Sequence, residues 1–266
     1  MKKFFERCAR GPYRNRGLAE LAVSFILAVS LFCVAGCSFV EEALSSQEPP
    51  LSLEATVSEE ETLDLGVYAS SGVTHVEVNQ SMPSFSDADI AYARENEGFE
   101  YYAPLDWDGR CVGAIACLGR ETMPKQGEKR GSISSIHPTG WHSVRYGFID
   151  GESLYNRSHL IAWKLGNENA NDRNLVTGTR FMNAEGMLPF EEEVIRYIQR
   201  TENHVLYRVI PVFNDDELLC RGVQMEAYSL EDDGAGVSFN VFCPNVQPGI
   251  TIDYATGDND LDYKNE

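Results

Sequence analysis

The sequence predicts an α+β fold built on a mainly antiparallel sheet. Three observations carry this. Six runs have the length and composition of strands: 112–119, 142–149, 153–160, 204–213, 222–230 and 237–245. The second and third are joined through Asp150-Gly151, a strong two-residue hairpin signal. The two helical patterns, 87–97 and 188–200, interrupt the strands without alternating with them.

Each element has a local reason. The helix at 87–97 follows Ser86, a good N-cap. The run GRCVGAIACLG reads as a buried strand with residues 111, 113, 115 and 117 on one face. If it is straight, Cys111 and Cys117 lie roughly 20 Å apart, too far for a disulfide. Cross-strand bridges to Cys220 or Cys243 and buried free thiols both stay open. A zinc site from Cys111, Cys117, His137 and His142 has no close ligand pair. Residues 165–187, LGNENANDRNLVTGTRFMNAEGM, read as a long functional loop. In the second helix Pro189 suits the first turn, and Phe190, Val194, Ile195 and Ile198 form the apolar stripe.

The formal net charge is -19. Residues 1–36 run against it, with Lys2, Lys3, Arg7, Arg10, Arg14 and Arg16 ahead of the apolar stretch LAVSFILAVSLFCV. This is the layout of a secretory leader. Its end, VAGC, resembles the lipobox of bacterial lipoproteins, which implies cleavage before Cys37 and a lipid on Cys37. The rival reading is an uncleaved membrane anchor, against which Gly36 and Ser38 interrupt the apolar run. Both place the rest of the chain outside the cytoplasm. Residues 37–80 read as an acidic disordered tether, most acidic over 38–65, and 255–266 as an acidic tail. The folded domain is expected over 81–254.

One constellation suggests chemistry. His159 ends a strand within the run SLYNRSHLIAW. Asn174 and Asn183 follow nine apart, and Glu191 lies eight further on, with Arg157 and Arg180 close in sequence. This set suits phosphodiester hydrolysis. Histidine has a pKa near neutrality for activating water. A hard cation such as Mg²⁺ needs only one or two protein oxygens and keeps several waters. Arginine matches phosphate oxygens through paired hydrogen bonds. Taken singly, His159 reads as a buried structural histidine, Asn174 as a turn residue and Glu191 as a charge favoured by the helix dipole. His142 reads as a structural hydrogen-bonder, and His137 and His204 as histidines without nearby ligands.

The same residues carry a resemblance. YNRSHLIA followed by RNLVTGTRFMNAEGMLPFE is similar to the DNA/RNA non-specific endonucleases of the ββα-metal (His-Me finger) class, in their DNA-entry nuclease branch. The likeness runs from about Gly109 to Gly257 and takes in GWHS and NVQPGITIDYATGD. It implies His159 as general base and Asn183 as the metal ligand. It also implies Asn174 as a positioning residue, Glu191 as holder of metal-bound water, and Arg157 and Arg180 as phosphate contacts. The cofactor implied is Mg²⁺, with Mn²⁺ as the alternative, and the substrates are DNA and RNA. The strands around Asp150-Gly151 and the helix bearing Asn183 would form the ββα unit. The sequence departs from the family's Asp-Arg-Gly-His at Asn156 and Ser158.

Acidity opposes nucleic-acid binding, since proteins that hold it tightly are usually basic. A locally basic stretch, GRETMPKQGEKRG, offers Arg120, Lys129 and Arg130 as substrate contacts, or else is a solvated loop. The expectation is therefore a surface-tethered, sequence-non-specific endonuclease. The alternative is a surface receptor feeding DNA-uptake machinery, with weak cleavage or none.

Overall fold

The computed structural model describes residues 51–57 and 65–262. The leader, Cys37 and most of the acidic segment lie outside the described residues.

The frame is a six-stranded sheet. Its strands are β1 (Val76–Glu77), β2 (Glu100–Tyr102), β3 (Ala114–Leu118), β6 (Val205–Val212), β7 (Gly222–Ser229) and β8 (Ser238–Pro244). Their order is β1-β8-β7-β6-β3-β2, and every pairing is antiparallel. The fold is thus α+β with a mainly antiparallel sheet. Two two-stranded ribbons accompany it: β4 (Tyr155–His159) with β5 (Leu175–Thr179), and β9 (Ile250–Ile252) with β10 (Asn259–Leu261).

The period-2 rule explains how both sheet faces are filled. Ala114, Ala116, Leu118, Val205, Tyr207 and Val209 face one core cluster, which also holds Met182, Val194, Tyr197 and Ile198. Ile115, Cys117 and Leu206 face the other, covered by Ala93, Leu51, Leu53 and Phe85. On that second side Arg208 and Glu226 form a fully buried cross-strand ion pair, with Arg208 Nε 2.7 Å from the Glu226 carboxylate. The Ser84 hydroxyl and the Ser52 carbonyl accept from two further guanidinium donors, the kind of support a buried charge requires.

Four α-helices are described: α1 (Leu65–Ser71), α2 (Asp87–Glu95), the single turn α3 (Trp163–Gly166) and α4 (Leu188–Thr201). Ser86 caps α2 in a reciprocal box with Asp89. Pro189 sits in the first turn of α4, which buries Val194, Tyr197 and Ile198. Ahead of α4 a π-helical segment, Met182–Met187, continues the same helix.

Several expectations are corrected. Residues 142–149 form no strand, only the single bridge Arg145↔Ser153. Val144, Tyr146 and Ile149 instead pack with Leu154, Tyr155 and Ile250 as a separate small core, so their apolar pattern reflects packing rather than a ladder. The ladder partner of β4 is β5, which lies inside the stretch read as a loop. Its Val176, Thr177 and Thr179 are β-formers buried among Asn and Gly neighbours. The supposed tether 37–80 is ordered where described. Leu51 and Leu53 pack on the sheet, Thr56 and Val57 bond Gln224, and β1 adds an edge strand. The tail likewise pairs as far as Leu261 through β10. The acidic residues around these short segments obscured the apolar ones that anchor them. Cys111 precedes β3 and shares no face with Cys117, because the two enter different clusters. The four described cysteines are free and buried.

Candidate active site

Antiparallel pairing of β4 and β5 sets His159 opposite Leu175, with Asn174 just before it. The helix that runs from Arg180 through α4 follows β5 without a break. The ββα unit is therefore β4, β5 and this helix.

His159 is 7% exposed. Its Nε2 lies 3.0 Å from the Asn169 carbonyl, and its Nδ1 lies 3.0 Å from the Arg130 guanidinium. A carbonyl can only accept and a guanidinium can only donate. The two partners therefore fix the tautomer: the proton is on Nε2, and Nδ1 is the basic lone pair. Burial holds the imidazole's pKa down to about 4; the Asn169 carbonyl opposes this and Arg130 adds to it. The ring is neutral well below neutral pH.

Asn174 is 0% exposed. Its Oδ1 accepts from the Ile161 amide at 2.9 Å, and its Nδ2 donates to the Ile161 carbonyl at 3.0 Å. It clamps the chain just after His159 and does not line the cleft. Asn183 does line it, and its amide makes no hydrogen bond among the described residues.

Asn183 and Glu191 are eight residues apart. In a regular α-helix that spacing leaves side chains ~80° apart. The π-helical segment between them acts as one inserted residue, which reduces the offset to ~20°. Both then face one cleft, of about 850 Å³, together with His159. Burial pushes the Glu191 carboxyl up to about 7, against the pull of Lys164 and Arg130.

The other basic residues divide. Arg130, Arg157 and Arg180 line the cleft, as does Lys164, which sequence reasoning missed. Arg120 and Lys129 do not. Arg157 donates to the Ile136 and Ser134 carbonyls and stacks 4.0 Å over Trp141. Arg180 pairs with Asp150 at 2.7 Å. Four cations thus face the cleft against one carboxylate, Glu191, in a chain of net charge -19. Lys164 was detectable only as the fifth residue beyond His159, on a turn whose helical character four residues barely signal.

The two motif departures differ in place. Ser158 is fully buried on the side away from the cleft, against Gly178 and Met182. Asn156 lines the cleft, and its Nδ2 is buried without a hydrogen-bond partner among the described residues. His142 bonds the Thr256 carbonyl at 3.1 Å, and His137 meets Trp141 edge-on. His204 corrects the reading that it lacks neighbours. Its Nδ1 is 2.6 Å from Glu231, and Glu121 and Glu97 flank its Nε2.

Among the described residues no three His, Cys, Asp or Glu side chains converge as a metal cluster. A free Asn carbonyl beside one carboxylate is a different donor set. It fits a hard divalent cation that keeps most of its water.

The sequence pattern of the DNA/RNA non-specific endonuclease family matches residues 89–230. A deoxyribonuclease of Streptococcus dysgalactiae subsp. equisimilis is 33% identical over 109 residues, 39% of this chain. The chain spans about a third of that relative's length, 32%. NucA from Streptococcus agalactiae, solved with magnesium bound, shares the fold at a TM-score of 0.63 and 24% identity, over 77% of this chain and 99% of that one. The Sda1 nuclease with bound zinc aligns at a TM-score of 0.52 and 26% identity, over 62% and 81%. The chain belongs to the DNA/RNA non-specific endonuclease family.

Proposed function

We propose that the cleft hydrolyses phosphodiester bonds of DNA and RNA without sequence preference. One observation carries this: Nδ1 of His159 is fixed as a proton acceptor in a cleft shared with Asn183, Glu191 and four cations. His159 takes a proton from water through Nδ1, and the Asn169 carbonyl holds the ring while it becomes charged. Asn174 keeps the chain beyond His159 in place. Arg130, Arg180 and Lys164 bind phosphates. Arg157, already bonded to two carbonyls, shapes the wall more than it reaches substrate.

Asn183 is the residue to hold a divalent cation, Mg²⁺ or Mn²⁺, and Glu191 to hold a water of its shell. When bound, such an ion neutralises charge on the phosphate and on the leaving oxygen. The magnesium in NucA and the zinc in Sda1 are consistent with a divalent requirement. By the resemblance to the family, the products carry 5′ phosphates.

The chain is placed outside the cytoplasm by its leader, with Cys37 lipidated. Among the described residues no helix is long and apolar enough to cross a membrane. The receptor reading, with DNA uptake as its task, rests on the Asn156 and Ser158 departures and on the acidity of the chain. Ser158 lies in the core and the cleft itself is lined by four cations and one carboxylate, so Asn156 is the departure that bears on the cleft. Plasmid and RNA digestion by the purified protein, with Mg²⁺ and in chelator, separates the two. Retention of DNA without cleavage in Mg²⁺ would favour the receptor.

A further inference from the structure

His159 carries an arginine on the atom its proposed task needs free. The Arg130 guanidinium lies 3.0 Å from Nδ1, while Nε2 is committed to the Asn169 carbonyl. A guanidinium has only donors, so the contact fills the Nδ1 lone pair. A base so occupied accepts no proton from water.

The segment bearing Arg130 rests over the base at two anchors. Glu128 accepts from Asn167 Nδ2 at 3.1 Å. Further along, Arg157 holds the Ser134 carbonyl at 3.0 Å and the Ile136 carbonyl beside it. Arg130 itself makes no ion pair within 4.0 Å among the described residues; its one side-chain hydrogen bond there is to a neutral imidazole. A phosphate is the stronger partner, because a charge-assisted hydrogen bond is roughly twice as strong as a neutral one.

We propose that Arg130 is a substrate-released mask on the base. It covers Nδ1 of His159 in the free protein and passes to a phosphate of the incoming nucleic acid, which uncovers the base only when a polyanion fills the cleft. This rests on reading His159 as the general base. It gives Arg130 two opposed effects, one favouring long polyanions and one suppressing small diesters.

The opposition makes the test. Arg130→Met keeps an unbranched apolar stem and removes the donors. Against plasmid DNA the variant should show KM raised about tenfold, from loss of a phosphate contact. Against bis(p-nitrophenyl) phosphate, which has one phosphate, turnover should rise by roughly threefold or more, because the base is no longer covered. A purely structural role lowers both rates, and a pure phosphate contact leaves the small diester unchanged. Either result overturns the mask. A second readout needs no activity. The ¹⁵N resonance of His159 Nδ1 in chelator should move on Arg130→Met, and in the wild-type protein on adding an oligonucleotide. A resonance that moves in neither case overturns the mask. A resonance that moves in a wild-type protein cleaving neither substrate in Mg²⁺ overturns the nuclease reading instead, and the mask's purpose with it.

Discussion

Asn174 and Asn183 are the same residue type nine positions apart, and the fold uses them in opposite ways. Asn174 spends its amide on the Ile161 backbone, whereas Asn183 faces the cleft uncommitted. Asn174→Ala strands a buried amide and carbonyl and should cost about 2–3 kcal/mol, read as a lowered denaturant midpoint. Asn183→Ala should change stability by less than about 0.5 kcal/mol while removing nuclease activity. Glu191 supplies a pH signature. Its carboxyl is raised to about 7, so the folded state binds more protons than the unfolded one from about pH 4.5 to 7, and stability falls as pH rises through that window. His159 is depressed to about 4. Between about pH 4 and 6.5 the unfolded state holds more of its protons, so its contribution to stability rises with pH. The two slopes oppose each other. Glu191→Gln should therefore leave the His159 rise unopposed and raise Tm above wild type at pH 8, measured in chelator. A Tm at or below wild type there would mean the carboxyl is not destabilised by burial. The identities of these residues were legible in the sequence as a spaced set. The resemblance already implied different tasks for the two asparagines, but that Asn174 acts through the Ile161 backbone was not legible, because that contact exists only in the folded chain.

At the scale of elements, the β4–β5 ribbon replaces the hairpin that Asp150-Gly151 suggests. Turn chemistry was legible there, but it closes only one bridge. The ladder partner comes from a segment whose Asn and Gly content conceals a buried strand. Within the ribbon, Ser158 depends on Gly178: a Cβ built at Gly178 would lie 2.3 Å from the Ser158 hydroxyl and 2.5 Å from Met182 Cε. Gly178→Ala should cost about 1–3 kcal/mol in thermal or denaturant unfolding. Adding Ser158→Gly should recover part of it, a coupling that a double-mutant cycle measures. If Gly178→Ala cost the same in the wild-type and Ser158→Gly backgrounds, the two positions would not interact. The π-helical segment is the other feature the sequence concealed. The eight-residue spacing of Asn183 and Glu191 looks out of phase for an α-helix, and one inserted residue restores a common face.

At the scale of the molecule, the acidity that argued against a nucleic-acid enzyme is distributed away from the cleft. Arg130, Arg157, Lys164 and Arg180 surround it, opposed by Glu191. Composition reports only the sum, so this local reversal becomes visible once the chain is folded. Binding should be salt-sensitive but shallow. With at most four phosphates neutralised, the log–log dependence of DNA affinity on salt should be no steeper than about -4. A much steeper slope would require cations outside this cleft. Every role assigned in the cleft turns on Nδ1 of His159 removing the proton from water in a nuclease reaction. Plasmid cleavage in Mg²⁺ by His159→Ala beside the wild-type protein, both checked for an unchanged thermal transition, tests this step without intermediaries. The expected loss is about a hundredfold or more. A variant that cuts at near wild-type rate would contradict it.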